Sequence, residues 1–395
     1  MNHAKRVMLV AGESSGDGLA AELVRAMRSR FGADLEYFGA GGARMEAAGV
    51  QLSTDLTRHA VVGIWEPLKQ LRKFHRLFQD LVDLALSRRP DLVILVDYSG
   101  FNLRLSRAIL SAARKKAPGW RPKMVYFISP QVWASRPQRA RRIEEDFDLL
   151  LSIFPFEEAW YAQRAPNLNV RFVGHPLVDR FPGVDRRALA RRLEPTRATI
   201  AILPGSRRGE IRRLFPVMLE AAGLVAQRTP DVRFCAVASS AEAKEAMEQW
   251  IGRMDVEGME IEVRLGGLEE VLSNADLALA CSGTVTMELA WFATPAVVVY
   301  RTSWLTYQIA KRLIQTSFLA MPNIIAGKLV FPELIQGALR AESLAGRAVD
   351  LLNDKGERSA IFAALEDVVG RLGESGATVR AAVAIGEICP ELGAS

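Results

Sequence analysis

At four places in this chain a short apolar run stops at a glycine-bearing turn and gives way to a helical pattern. RVMLVA precedes GESSGD (12–17), LVILV precedes Asp97-Tyr98-Ser99-Gly100, ATIAIL precedes Pro204-Gly205-Ser206, and LALAC precedes Ser282-Gly283-Thr284. A run that is apolar at every position is covered on both faces, as a central strand of a parallel sheet is. Parallel neighbours cannot be joined by hairpins, so a helix must carry the chain back between them. Further strand-and-turn units follow at LEYFGAGG (35–42), KMVYFI, LLLSIF and VRFVG in the first half. VRFCAVAS (232–239), EIEVRL (260–265) and AVVVYR (296–301) continue the series in the second. With 395 residues the chain exceeds one ordinary core. The expected class is α/β, two Rossmann-like domains facing a cleft. The Arg-rich stretch PGVDRRALARRLEPTR (182–197) marks the joint. Domains are therefore expected over 1–183 and 184–345, with a helical tail over 346–395 that packs back on the first.

A net charge of +6 and a pI near 9.3 favour anionic partners. Zinc-finger spacing, an aromatic-rich RNA-binding signature and a basic tail are all missing, so no nucleic acid is expected. Cys235, Cys281 and Cys389 are odd in number and far apart, which makes neither a disulfide framework nor a CxxC site. That usage fits a reducing compartment. The four histidines show no ligand spacing. VMLVA is too short for a signal peptide, and no stretch approaches the roughly 20 apolar residues of a membrane span. A cytoplasmic protein, soluble or peripheral, is expected.

Strand, tight turn and helix together aim backbone N–H groups and a positive dipole end at an anion. In LPGSRRGEIRR (203–213), Arg207 and Arg208 stand where a diphosphate would lie, and an Arg fork matches phosphate oxygens. The other reading of that stretch is an ordinary turn with solvated arginines. A second turn of the same kind, CSGTVTMELA (281–290), offers Ser282, Gly283 and Thr284, with Glu288 one turn on in reach of ribose hydroxyls. The first turn, GESSGD, is no GxGxxG fingerprint and lacks a P-loop lysine. Glu13 and Asp17 would repel phosphate, so it faces a sugar or another neutral polar group, with Asp17 open to a helix-capping role. Asp97 ends a central strand, where ligands of α/β sheets bind, and reads either as a general base or as a helix cap. Asn323, between apolar neighbours in MPNIIAG, predicts a buried amide with a partner.

The stretch 59–90 carries apolar residues at helical spacing, including Leu68, Leu71, Phe74 and Phe78, preceded by Trp65. Lys69, Arg72, Lys73 and Arg76 lie on its other face. This pattern suits an anionic membrane surface or an acyl chain, and equally a helix facing its own core.

GESSGD, FGAGGARM, VVGIWE, VDYSGFN, YFISPQVWA, FPFE, VGHP, LPGSRRGEI, SGTVTMEL, MPNIIAG and PELIQ occur in this order. In this the chain resembles the lipid-A-disaccharide synthase family from about residue 7 to 336. The resemblance implies a GT-B-type, inverting, metal-independent glycosyltransferase without cofactor. Such an enzyme joins UDP-2,3-diacylglucosamine to 2,3-diacylglucosamine 1-phosphate (lipid X), giving a β-1,6 disaccharide 1-phosphate and UDP at the inner face of the bacterial inner membrane. It implies Asp97 as catalytic base and Glu13 as a sugar-positioning carboxylate. Ser206, Arg207, Ser282, Gly283 and Thr284 would meet the diphosphate and Glu288 the ribose. Asn323 and Gln336 would belong to the site. Trp65, Leu68, Leu71, Phe74 and Phe78 would face acyl chains or an anionic membrane, and a homodimer is an open expectation. Ser135, Gly100 and Arg208 depart from residues common in the family. A UDP-sugar epimerase or hydrolase on the same frame, and a catalytically silent GT-B protein, are the alternatives.

Overall fold

The computed structural model describes residues 5–32, 34–56, 67–185, 197–229, 231–254 and 259–393, with the side chains of 14 and 67–74 left aside. Trp65 lies outside the described residues, and the side chains of Leu68, Leu71 and Phe74 are among those not described. The chain forms two compact units, one built from the residues up to Asp179 together with those from Leu372 onward, the other from Arg180–Arg371.

The first unit holds β1 (Arg6–Ala11), β2 (Glu36–Gly41), β3 (Gln51–Asp55), β4 (Leu92–Val96), β5 (Lys123–Phe127), β6 (Leu149–Ser152) and β7 (Val170–Phe172). They line up as β3-β2-β1-β4-β5-β6-β7, parallel throughout. The second holds β8 (Thr199–Leu203), β9 (Arg233–Ala238), β10 (Glu260–Leu265), β11 (Leu277–Cys281), β12 (Ala296–Tyr300) and β13 (Glu333–Ile335). Their order is β10-β9-β8-β11-β12-β13, again parallel. Both are Rossmann-like sheets, as the apolar runs predict. Every residue of β4 and β11 is buried, because helices cover both faces.

In each sheet the strand order reverses once, between β1 and β4 and between β8 and β11. Beyond the carboxyl ends of two such strands the connecting helices leave to opposite faces, and a crevice opens where ligands bind. The four turns that stand out in the sequence are the ends of these four strands.

Two strands escape the sequence pattern, β3 and β13, and both are sheet edges. QLSTD is polar and none of its residues is buried, while ELI is three residues long. An edge strand covered on fewer sides needs no continuous apolar run.

The helical tail expected over 346–395 is not one body. Helices Ala341–Asn353 and Lys355–Gly370 belong to the second unit, and helix Ala377–Ile388 to the first, where it packs on helix Ser14–Phe31. Gly386 permits this approach, since a Cβ there would meet the Phe31 ring at 3.0 Å. Asp179 accepts the Ala377 N–H at 3.1 Å and that of Gly376, and Arg380 Nε donates to the Val173 carbonyl at 2.8 Å.

Helix Pro67–Arg88 realises the amphipathic stretch. Its second half faces its own core: Leu77, Leu81, Val82 and Ala85 are buried. Phe78 is half-buried and edge-on to Phe101, with ring centroids 5.5 Å apart. No helix among the described residues is long and apolar enough to cross a membrane.

Candidate active site

At the end of β4 the chain turns through two consecutive non-glycine residues with positive φ, Asp97 at 49° and Tyr98 at 47°. Such a backbone is unfavourable for a residue with a side chain and persists only where its surroundings hold it. Three partners do. The Asp97 carbonyl accepts Tyr126 Oη at 2.5 Å and Asn102 Nδ2 at 2.8 Å, and the Asp97 N–H donates to the Phe127 carbonyl at 3.0 Å. Asn102 also ties the Val96 carbonyl at 3.1 Å. The Tyr98 ring stacks on Phe101, centroids 5.6 Å apart, and covers Gly12, where a Cβ would lie 2.1 Å from the ring. Glycine is therefore required at the start of the first turn.

Burial raises the Asp97 carboxyl above its ordinary value of 3.8, and the negative charge of Glu13 raises it further against the Tyr98 N–H, which lowers it. A carboxylate whose proton affinity is raised is suited to accept a hydroxyl proton. Glu13 occupies the N-cap of helix Ser14–Phe31 with extended backbone, yet its side chain makes no capping bond. Asp17 caps a helix, but not its own. It is buried and accepts the N–H groups of Gly42, Arg44 and Met45 at 2.8, 3.1 and 3.1 Å, closing the start of helix Ala43–Ala47.

In the second unit, Gly205 turns with φ 108° at the end of β8, and Ser206, Arg207 and Arg208 are exposed. Helix Arg208–Arg228 follows, its Glu210 carboxylate folding back to accept the Arg207 N–H at 3.2 Å. A Cβ on Gly205 would lie 2.3 Å from Glu210 Oε2, a second reason for glycine. At the end of β11 the Ser282 N–H is spent on the Val299 carbonyl at 3.1 Å, and its hydroxyl donates to the Leu319 carbonyl at 3.3 Å. Gly283 and Thr284 are exposed. Glu288 is largely buried and accepts Arg180 Nη1 at 2.9 Å; burial raises its carboxyl while Arg180 opposes the rise.

Asn323 is fully buried, and its amide is used by its own loop. Nδ2 donates to the Phe331 carbonyl and to Glu333 Oε1, both at 2.8 Å, and Oδ1 accepts Val330 and Phe331 N–H at 2.9 and 2.8 Å. Glu333 in turn accepts the N–H groups of Leu319 and Ala320. Asn323 thus acts through Glu333 and Leu319 on Ser282. Gln336 has a positive φ of 53° and clamps Thr302 by both ends of its amide, at 2.9 and 3.3 Å.

Sequence reasoning missed Tyr98, Asn102, Tyr126, Arg180, Glu210 and Glu333. Most lie inside motifs that stand out, VDYSGFN, GSRRGEI and PELIQ, but their partners are far along the chain or on another strand. The same holds for Glu157 of FPFE, fully buried, which accepts Trp133 Nε1 of VWAS at 2.9 Å and is pushed up to about 7 by burial. Of the departing residues, Gly100 leaves open space, since a Cβ there would meet nothing within 4 Å. Among the described residues no group of three or more His, Cys, Asp or Glu is placed to hold a metal ion.

The family model described as lipid-A-disaccharide synthetase matches residues 7–383. The lipid-A-disaccharide synthase of Myxococcus xanthus is 37% identical over 393 residues, 99% of each chain, and that of Pseudomonas aeruginosa is 36% identical, covering 96% of this chain and 97% of its own. In fold the chain is similar to a putative UDP-N-acetylglucosamine 2-epimerase from Listeria monocytogenes, at TM-score 0.60 and 14% identity over 98% of this chain and 97% of that one. It is similar likewise to the glycotransferase of kitacinnamycin, at TM-score 0.59 and 14% identity over 97% and 98%. The epimerase likeness is one of fold, whereas identity to the synthases extends along the whole sequence. Two parallel Rossmann-like sheets and this end-to-end similarity place the chain in the lipid-A-disaccharide synthase family, as a glycosyltransferase of GT-B fold.

Proposed function

We propose that the chain condenses UDP-2,3-diacylglucosamine with 2,3-diacylglucosamine 1-phosphate, releasing UDP and the β-1,6-linked disaccharide 1-phosphate. The single observation that carries the mechanism is the strand-end carboxylate Asp97, raised by burial and by Glu13 and held in a backbone conformation its neighbours impose. Asp97 accepts the proton of the acceptor 6-hydroxyl as its oxygen attacks the anomeric carbon from the face opposite the diphosphate, which inverts that centre. Glu13 positions a sugar and keeps Asp97 basic. UDP leaves with its charge met by Arg207, by the hydroxyls of Ser206 and Thr284, by that of Ser282 once it turns from the Leu319 carbonyl, and by the backbone at Gly283, without a metal. Glu288, released from Arg180, takes the ribose. Asn323 and Gln336 hold the loops that carry these groups. The enzyme works as a peripheral protein at the cytoplasmic face of the inner membrane, where the first half of helix Pro67–Arg88 meets acyl chains or lipid.

The test is disaccharide formation by purified protein from both acylated sugars, in detergent with EDTA. Product formation undiminished by EDTA supports the reading. Release of UDP without disaccharide, or no turnover across several acyl lengths, overturns it.

A further inference from the structure

Eight large apolar side chains stand exposed among the described residues, and six of them lie between Trp304 and Leu329. Trp304 is 73% exposed, Leu305 64%, Ile309 52% and Leu313 42%, all on helix Trp304–Leu313, which buries none of its residues. Leu305, Ile309 and Leu313 recur every four residues and make one stripe along it. This ten-residue helix is held at its ends and not by its apolar face: Ser303 caps it, accepting the Thr306 N–H at 3.2 Å, and Lys311 and Arg312 offset the dipole in its last turn. A folded domain buries such a stripe unless something else covers it, and exposed apolar patches of this kind mark interaction sites.

Charge identifies the cover. From Tyr300 to Pro332 the sequence has no Asp or Glu, while Arg301, Lys311, Arg312 and Lys328 are basic. Lys311, Arg312 and Lys328 are exposed, and the consecutive residues Lys328 and Leu329 repeat the combination of cation and bare apolar side chain. A second copy of a chain with net charge +6 would bring like charge to this surface. An anionic bilayer complements it: Trp belongs at the headgroup boundary, aliphatic side chains just below it and cations on the phosphates.

We propose that helix Trp304–Leu313 is a docking surface for anionic lipid bilayers, carried by the second unit and separate from helix Pro67–Arg88 of the first. It rests on the reading of the protein as a peripheral membrane enzyme and gives that reading a second contact.

The experiment is co-sedimentation of the full chain with vesicles of phosphatidylethanolamine and phosphatidylglycerol, against vesicles of phosphatidylcholine. It compares wild type with Leu305→Ser/Ile309→Ser/Leu313→Ser and with Lys311→Glu/Arg312→Glu. Both variants are expected to melt like wild type and to keep its activity on detergent-dispersed substrates. The serine variant should bind anionic vesicles about tenfold more weakly or worse, as lost apolar insertion requires. The charge variant should lose most of the preference for anionic over neutral vesicles. Lipids brominated in the acyl chain should quench wild-type fluorescence more than that of Trp304→Phe, which reads contact at this helix whatever the first unit does. Equal vesicle binding by wild type and the serine variant, with no quenching difference at Trp304, overturns the proposal. So does a serine variant that binds vesicles normally but no longer self-associates on gel filtration, because the cover is then a second copy. Failure of wild type to bind any vesicle would instead sink the peripheral reading itself.

Discussion

The ends of β4 and β8 both sit at switch points, yet the chain treats them differently. At β4 the turn runs through Asp97 and Tyr98 with positive φ, fastened by Tyr126, Asn102 and the Phe127 carbonyl and roofed by an aromatic stack. At β8 it runs through glycine and opens into Ser206, Arg207 and Arg208, with 75% of the Arg207 side chain in solvent. A carboxylate becomes a stronger base by losing water, and losing water requires neighbours that hold it in place. A guanidinium in the role proposed for Arg207, meeting a diphosphate, gains nothing from burial before the ligand arrives, because desolvation would then be uncompensated. The second unit keeps its rigidity one layer back, in the buried amide of Asn323 and the carboxylate of Glu333 behind the Ser282 turn.

The largest effect expected from breaking this contrast is at Asp97. Asp97→Asn should lower kcat by about 10³-fold, within the range for loss of a general base, and leave UDP affinity intact by titration calorimetry. The same change should raise thermal stability. The Asp97 carboxyl is raised in the folded protein, so its contribution to stability is present while it is protonated. That contribution is lost as pH climbs from the ordinary carboxylate value through the folded one. The variant should therefore melt above wild type at neutral pH, and the difference should close on acidification. Unchanged melting at every pH would mean that Asp97 is not the desolvated group.

Next comes the buried frame of the second unit. Asn323→Ala orphans the Val330 and Phe331 N–H groups and should cost about 3 kcal/mol of stability in denaturant unfolding, since each buried unsatisfied group costs about 1–3 kcal/mol. An exposed-loop response, under about 0.5 kcal/mol, would contradict the division of labour drawn here. Arg207→Ala should barely move stability and should weaken UDP binding about tenfold, more at low salt than at high. Equal loss at all ionic strengths would point to packing instead of charge. The smallest effect is expected from Glu13→Gln: with one negative charge removed beside Asp97, the acid limb of the kcat/KM profile should move to lower pH. A limb that stays put would detach Glu13 from the base.

Much of this contrast is written locally. LVILV and LALAC could only be central strands, and the turns at 97–100, 204–206 and 282–284 announce themselves by glycine and a change of period. What evades reading is whatever depends on a partner elsewhere in the chain. QLSTD and ELI become strands only because a neighbour offers its edge. Asp17 looks like a cap for the helix that follows it and closes another one instead. Phe78 belongs to a face that fits lipid and core equally well, and packing against Phe101 places it on the core.

The sequence by itself determined the α/β class, the two parallel sheets, the family and the residues that end the central strands, because apolar periodicity, turn chemistry and ordered motifs are properties of neighbours along the chain. Only the tertiary structure decided which side chains are spent on scaffolding and which stay free for chemistry. Asn323 and Gln336 turn out fastened to their own loops, Glu288 to Arg180, and Asp97 acquires its raised proton affinity from burial and then from Glu13, eighty-four positions earlier in the numbering. Burial and electrostatic coupling depend on distance in space, and a one-dimensional pattern does not carry it.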